Sequence, residues 1–171
     1  MRNLKFSPSG DKLASIGEDD YHSVAVWDWA NKRMISSAKV DPDKVFDLDW
    51  KDDTEFATVG MKHVKFFTLN GSNLTPNKGL YGSVGATATI SCHYAFGGAT
   101  FMVGTPKGDL LLFNGRTVSK AVKGHTDALW AIQTIKNGTT LMTGGNDAKI
   151  VLWDKNLTQL KTIDLAPMSK F

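Results

Sequence analysis

Four side chains in the last third of the sequence have the types and spacing that could support chemistry. His125, Thr143 and Asp147 are the ingredients of a nucleophilic triad, in which the histidine would activate the threonine hydroxyl. The same three side chains could instead form a hydrogen-bonded chain that ends on the indole N–H of Trp153 and fixes the imidazole. No oxyanion-hole motif accompanies the set, so the sequence favours the structural interpretation.

Other candidate chemistry has less support. Asp19 and Asp20 could pair as acid and base, but as turn residues they are expected to bond backbone N–H groups. Residues 82–85 (Gly-Ser-Val-Gly) lack the Lys-Ser/Thr pair of a phosphate loop and predict a turn with positive φ. No two histidines have a spacing typical of metal ligation; they are His22, His63, His93 and His125. We therefore expect no metal, no cofactor and no catalytic residue.

Composition limits the class of protein. The 171 residues are 42% hydrophobic and 22% charged, which is typical of a globular domain and not of a disordered chain. The apolar runs are too short to cross a bilayer, and the amino terminus has no signal-peptide core. Cys92 alone cannot form an internal disulfide or a thiolate zinc cluster. With a net charge of +3 and no continuous basic stripe, we expect a cytosolic protein that binds neither nucleic acid nor membrane.

The elements that must position these residues recur four times along the chain. Each copy reads strand, turn, strand and closes on an aromatic residue, and the intervals between the closing residues are 40 to 46 residues; they are Trp27, Phe67, Phe113 and Trp153. That period is typical of four-stranded propeller blades, and Gly-His at 124–125 with Trp-Asp at 153–154 completes the WD-repeat signature. We predict an all-β WD-repeat β-propeller segment, one domain over 1–171, with four four-stranded antiparallel blades at about 1–40, 41–86, 87–123 and 124–165 and a tail at 166–171.

The four copies differ in their polar residues. Ser15, Asp19 and Trp27 give the first copy most of the hydrogen-bonded chain, although the histidine it needs would precede residue 1. The second and third copies carry Phe67 and Phe113 in place of tryptophan, so these blades must rely on apolar packing. The polar segment 70–78 is interpreted as an insertion. Innermost-strand residues Asp47 and Asp49 are expected to point away from the core.

Four blades raise a question of closure. A propeller blade buries both of its faces against neighbours, and WD-type rings commonly contain more than four blades. An isolated arc would leave two apolar faces uncovered. We therefore expect the ring to be completed by a further part of a longer chain or by a second copy.

Several segments resemble a known family. The double acid at 19–20, the aromatic-His-Ser at 21–23 and Trp-Asp-Trp at 27–29 together resemble the echinoderm microtubule-associated protein-like family, whose members carry two fused propellers. Residues 58–67, 82–85 and 143–147 fit the same resemblance, which covers essentially 1–165. It implies a cytoplasmic, cytoskeletal or ciliary protein whose partners are tubulin, microtubules or microtubule-associated proteins.

The resulting functional hypothesis is a non-enzymatic protein–protein interaction module that binds tubulin or microtubule-associated partners. Candidate contact residues on blade-edge loops are Lys62, Lys65 and Lys107. Two alternatives stay open. One is a general scaffold for ciliary or signalling complexes without tubulin contact. The other is a hydrolase that uses the central funnel, which requires convergent acids or histidines on innermost strands; the only candidates are Asp47, Asp49 and His93.

Overall fold

The computed structural model describes residues 3–168, which form four antiparallel sheets of four strands each, with two short 3-10 helices at Gly82–Val84 and Ala166–Met168. The first sheet contains β1 (Asn3–Phe6), β2 (Leu13–Ile16), β3 (Val24–Asp28) and β4 (Arg33–Ala38). The second contains β5 (Val45–Trp50), β6 (Glu55–Gly60), β7 (Val64–Asn70) and β8 (Asn73–Lys78). The third contains β9 (Ser91–Ala95), β10 (Thr100–Gly104), β11 (Asp109–Asn114) and β12 (Thr117–Lys123). The fourth contains β13 (Leu129–Ile135), β14 (Thr140–Gly145), β15 (Lys149–Trp153) and β16 (Gln159–Asp164).

Each sheet is a meander in which sequence neighbours pair, and we call the sheets blades one to four. Turn chemistry sets the hairpins. Between β1 and β2, for example, the N–H of Ser7 donates to the carbonyl of Lys12 at 2.9 Å, and Gly10 takes a φ of +82°. The innermost strands β1, β5, β9 and β13 lie beside one another in that order. The predicted all-β WD-type propeller of four four-stranded blades is confirmed, and the four sheets do not close into a ring.

Connectivity divides the loops between two ends of the blades. Turns that join the second and third strands of each blade lie on one side, which we call the upper face. Turns that join the first and second strands, and the third and fourth, lie on the other side, which we call the lower face. This division decides which side chains can meet the same partner.

Three apolar cores join neighbouring blades, and all three have the same orientation along the chain. Phe67 of blade two packs with residues of blade one, Phe113 of blade three with residues of blade two, and Trp153 of blade four with residues of blade three. Each closing aromatic residue therefore faces the preceding blade. Aromatic rings and aliphatic side chains at these positions are almost fully buried, so apolar burial between blades is the main source of stability.

The two end blades each leave one face uncovered. In blade one, the face opposite the core carries Trp27 above an apolar depression that is also lined by Leu4 and Leu13. In blade four, Ile150 and Leu152 alternate with the buried Val151 and are only half-buried. The open face of blade one is thus equivalent to the faces that pack on a preceding blade in blades two to four. The open face of blade four is equivalent to the faces that pack on a following blade in blades one to three.

One prediction about the strands is wrong. The polar residues Asn73–Lys78, interpreted as part of an insertion, form strand β8 and pair with β7 in an unbroken register. Pro76 is tolerated there because β8 is an outer edge strand, whose outward N–H groups need no partner in the sheet. Residues 82–85 form a short 3-10 turn with positive φ at Gly82 and Gly85, as predicted. Within residues 3–168, no helix has the length and apolar character needed to span a membrane.

Candidate functional site

Blade four contains the hydrogen-bonded chain that the sequence singled out. The indole N–H of Trp153 donates to the hydroxyl oxygen of Thr143 at 2.9 Å, and that hydroxyl lies 2.8 Å from Nε2 of His125. Nδ1 of His125 lies 2.8 Å from a carboxylate oxygen of Asp147. The other carboxylate oxygen accepts the backbone N–H of Thr126 at 3.0 Å. The structure therefore brings His125, Thr143, Asp147 and Trp153 into one buried chain.

Local backbone geometry makes room for this chain. A methyl group on Gly145 would lie 2.7 Å from Nδ1 of His125, so the imidazole rests directly on the glycine. Burial acts to raise the pKa of the Asp147 carboxyl, but the hydrogen bonds from His125 and the N–H of Thr126 outweigh it and hold that pKa below its usual value. The threonine hydroxyl is hydrogen-bonded to both the indole and the imidazole, so the arrangement stabilises the blade and leaves this hydroxyl unavailable as a nucleophile.

Blade one holds only part of such a chain. The indole N–H of Trp27 donates to the Ser15 hydroxyl at 2.8 Å, on the open face of the blade. Asp19 does not join them, which corrects the sequence prediction. Its carboxylate instead accepts the backbone N–H groups of Ser23 and Tyr21 at 3.0 and 3.2 Å and closes the turn. The reason is that, in the part of the chain that the structure describes, no imidazole lies between Ser15 and Asp19 to connect them; the ring of His22 bonds the carbonyl of Asp41 instead.

Blade two replaces the chain with a buried histidine from another position. His63 comes from the turn before β7, and a methyl group on Gly60 would lie 2.4 Å from its Cε1, so its ring packs on Gly60 much as His125 packs on Gly145. Within residues 3–168, neither ring nitrogen of His63 nor the hydroxyl of Thr58 has a hydrogen-bond partner. Burial lowers the pKa of His63 to about 4, against a smaller opposing effect of the Asp41 carboxylate 3.8 Å away.

A second polar network runs across the innermost strands of all four blades. Asp49 on β5 accepts Lys5 Nζ from β1 at 2.9 Å and also accepts the backbone N–H of Tyr94 at 2.7 Å. Its neighbour Asp47 accepts the amide of Asn3 at 2.8 Å and the N–H of Cys92 at 3.0 Å. The prediction that both aspartates point away from the core is wrong. They are drawn inward because β1 and β9 supply charged and N–H donors on either side of β5.

His93 extends this network to blade four. Its Nδ1 lies 2.9 Å from a carboxylate oxygen of Asp49, and its Nε2 lies 2.9 Å from the hydroxyl of Thr134. The backbone N–H of Thr134 donates to the same Nε2 at 3.1 Å, which makes Nε2 an acceptor and places the proton on Nδ1. Burial acts to raise the Asp49 pKa, but the bonds from His93, Lys5 and Tyr94 hold that pKa below its usual value. Both imidazole nitrogens are thus occupied in joining blades.

The convergence of Asp49, His93 and Thr134 is the feature that the hydrolase alternative requires. A general base needs an imidazole nitrogen free to accept the proton of a nucleophile. Here Nε2 already accepts a backbone N–H, and His93 is 9% exposed. The geometry indicates that these residues connect neighbouring blades. No group of three or more potential metal ligands occurs within residues 3–168.

Comparisons with known sequences and structures agree with this structural interpretation. The sequence model of the echinoderm microtubule-associated protein first beta-propeller matches residues 1–170. The chain belongs to this family. Human echinoderm microtubule-associated protein-like 4 is 27% identical over 92% of the chain and 18% of that protein. The human family members 2 and 1 are 26% and 27% identical over 93% and 95% of the chain, and 25% and 21% of their own lengths.

This member of the echinoderm microtubule-associated protein family therefore spans about a fifth to a quarter of the length of the relatives it matches. Its fold is also that of the Myceliophteria thermophila Cps50 (Swd1) beta-propeller domain, with a TM-score of 0.77 and 16% identity. That match covers 90% of this chain and 51% of the other. The resemblance noted in the sequence is confirmed at the level of the family.

The three lysines named as candidate contacts of this family member have different surroundings. Lys62 and Lys107 lie in equivalent turns of blades two and three on the upper face and are exposed; Lys62 Nζ lies 3.5 Å from Asp43. Lys65 lies within β7, its side chain is 15% exposed, and its ammonium bonds the carbonyl of Val40 and the carboxylate of Asp41. The expectation that Lys65 belongs to an exposed blade-edge loop is therefore wrong.

Proposed function

We propose that this protein is a non-enzymatic interaction module that binds microtubules or microtubule-associated partners in the cytoplasmic cytoskeleton. The observation that carries the proposal is the family match over residues 1–170, because the relatives named above are microtubule-associated proteins. The hydrogen-bonded chains support it. They lock His125 and His93 into structural bonds and leave rigid blades whose turns are free to meet a partner.

The proposed contact surface includes the upper-face turns of blades two and three. Lys62 and Lys107 project there from neighbouring blades, and the Lys62 side chain is 75% exposed. The resemblance to this family implies tubulin as a partner, and tubulin carries acidic tails at the microtubule surface. Exposed lysines attract such a surface through long-range charge, so binding should weaken as salt is added.

Co-sedimentation with microtubules tests this function. The protein should pellet with intact microtubules at low salt, pellet less with microtubules whose acidic tails have been removed, and be released as salt rises. The double variant Lys62→Glu, Lys107→Glu should pellet several-fold less. The matched control is Lys136→Glu, Lys155→Glu, which makes the same change in net charge on the lower face. Absence of pelleting by the unmodified protein, both with and without an added microtubule-associated protein, would contradict the proposal, and equal losses in the two double variants would contradict the assigned face.

A scaffold without direct tubulin contact is the second candidate, and the same assay separates it. Such a scaffold would pellet only when a microtubule-associated protein is added. In either case we propose that the open faces of blades one and four are covered by further blades of the same protein or by a second copy, because the two faces are of opposite kinds and each can pack on another blade. Light scattering separates the two: a stable particle of twice 18.7 kDa would identify a second copy as the cover.

A further inference from the structure

Three hairpins on the lower face turn at the same dipeptide, an asparagine followed by a glycine. The pairs are Asn70-Gly71 between β7 and β8, Asn114-Gly115 between β11 and β12, and Asn137-Gly138 between β13 and β14. Each glycine takes a positive φ, which is +60°, +56° and +82° in chain order. The three asparagines are exposed, and none of their side-chain amides has a hydrogen-bond partner within residues 3–168. All three amides are therefore free to react.

An asparagine that precedes a glycine can lose its side-chain amide without an enzyme. The backbone nitrogen of the glycine gives up its proton and attacks the side-chain carbonyl carbon of the asparagine. A C–N bond forms, the bond to the amide nitrogen breaks, and ammonia leaves. Water then opens the resulting succinimide at one of its two carbonyl carbons, which gives aspartate or isoaspartate. Glycine favours the attack because it has no Cβ to hinder the approach and lets the chain bend.

The hydrogen bonding of the attacking N–H differs among the three turns. The N–H of Gly138 donates to the carbonyl of Ile135 at 3.2 Å, so its proton is held within the turn. The N–H groups of Gly71 and Gly115 have no acceptor within residues 3–168, and a methyl group on either glycine would meet no atom within 4 Å. A free N–H loses its proton more readily than a bonded one, since no hydrogen bond has to be broken first. Two of the three turns thus combine a free amide with a free nucleophile.

The turn at Asn137 is also held more tightly than the other two. Thr139 donates both its N–H, at 3.3 Å, and its hydroxyl, at 2.8 Å, to the carbonyl of Lys136, which fixes the residues on either side of the Asn-Gly pair. Asn70 and Asn114 instead are the last residues of β7 and β11, next to two-residue loops. The extended backbone of a strand keeps the glycine nitrogen away from the side-chain carbonyl, so the attack requires a local opening. Hairpin tips open more readily than the strands they join.

We propose that Asn70 and Asn114 are sites of spontaneous deamidation in the folded protein and that the fold protects Asn137. This modification goes beyond the proposed function and does not depend on it. Each event replaces a neutral amide with a carboxylate, and the isoaspartate product also adds a methylene group to the main chain. The chemistry therefore changes both the charge and the hairpin geometry of the lower face.

The new charge at residue 70 would lie close to other carboxylates. The N–H of Leu69 donates to the carbonyl of Thr54 at 2.8 Å, which places the β7–β8 tip beside the turn at 51–55. That turn carries one lysine and three acidic residues, so its formal charge is already negative. Deamidation at residue 70 adds a like charge to the lower edge of blade two.

Peptide mapping by mass spectrometry tests the proposal on protein kept at neutral pH and physiological temperature. Aspartate and isoaspartate should accumulate several-fold faster at Asn70 and Asn114 than at Asn137, because only the first two turns have a free glycine N–H. In guanidinium chloride the three rates should converge, since unfolding leaves only the shared Asn-Gly sequence. The rates should also rise with pH, because the attacking nitrogen must lose its proton.

A matched pair of variants assigns the reaction to each turn. Gly71→Ala places a methyl group on the attacking residue and should slow the reaction at Asn70 several-fold, while Asn114 in the same molecule is unchanged. Gly115→Ala should have the reciprocal effect. Circular dichroism checks that each variant is folded, and the open space around both glycines favours this.

The outcomes decide the proposal independently of microtubule binding. Conversion in guanidinium chloride without conversion at Asn70 or Asn114 in the folded protein would overturn it. Equal rates at all three sites in the folded protein would overturn it as well, since the sequence alone would then set the rate. Pelleting is measured on freshly prepared protein, so failure of either proposal leaves the other standing.

Discussion

Replacing His63 with phenylalanine should remove a loss of stability that the protein otherwise suffers as pH falls from about 7 to about 5. The imidazole is 5% exposed, rests against Gly60 and has no hydrogen-bond partner within residues 3–168. Burial lowers its pKa from 6.5 to about 4. The unfolded chain therefore takes up a proton below about pH 6.5, whereas the folded protein resists protonation until about pH 4, so added protons favour unfolding.

The size of the effect follows from these two pKa values. Between about pH 7 and about pH 5, the difference in proton uptake lowers the free energy of unfolding by about 2 kcal/mol, and the full difference of the two pKa values corresponds to about 3 kcal/mol. Carboxylates with lowered pKa, such as Asp49 and Asp147, also lose stability on acidification. That contribution is common to both proteins and cancels in their difference.

Urea denaturation of the unmodified protein and of His63→Phe, each at about pH 7 and about pH 5, measures the effect. The unmodified protein should lose about 2 kcal/mol more than the variant across this interval. A phenyl ring is larger than the imidazole, so the variant also changes the packing at this site, but that packing cost is the same at both pH values and cancels in the comparison across pH. Equal pH dependence in the two proteins would refute the assignment of a buried neutral imidazole to His63.

Three further substitutions test the blade interior. Trp153→Phe removes the 2.9 Å bond to Thr143 from a buried core and should lower the free energy of unfolding, measured in urea, by about 2–3 kcal/mol. Trp27→Phe, on an open face, should lower it by less than about 1 kcal/mol. Equal costs would contradict the difference in burial. Gly108 has φ +82°, and a methyl group there would lie 2.2 Å from the His125 carbonyl oxygen, so Gly108→Ala should lower the free energy of unfolding by more than about 3 kcal/mol. Gly115 has φ +56° and open space around it, so Gly115→Ala should lower it by only about 1 kcal/mol. Similar melting temperatures of the two variants would count against the close packing of the turn that contains Gly108. Asp49→Asn leaves Lys5 without its charge partner and should cost about 2–4 kcal/mol, so an unchanged urea midpoint would show that the inner network contributes nothing.

Much of the fold could be predicted because its signals are local. The interval between closing aromatic residues, such as Trp27 and Phe67, reflects the four short strands of a blade, and Trp-Asp at 153–154 marks the end of a hairpin. The chain from His125 to Trp153 could also be anticipated, since all of its members lie within one blade. Each of these features depends on residues within one blade or on the interval at which the blades repeat.

The features that could not be predicted depend on neighbouring blades or on edge position. Asp49 meets His93, 44 residues away, only because the innermost strands lie side by side around the axis. Lys65 was expected to be exposed, but blade one supplies the carbonyl and carboxylate that hold it. Strand β8 is polar because it lies at an outer edge, and a polar edge strand has the same composition as a loop.

Cryo-electron microscopy of microtubules incubated with the protein at low salt tests the central claim most directly. The account predicts density for radially arranged four-stranded blades on the microtubule surface, with the upper-face turns that carry Lys62 and Lys107 toward tubulin. A bare microtubule lattice, with no added microtubule-associated protein restoring the density, would contradict the claim that these blades form a microtubule-directed interaction module.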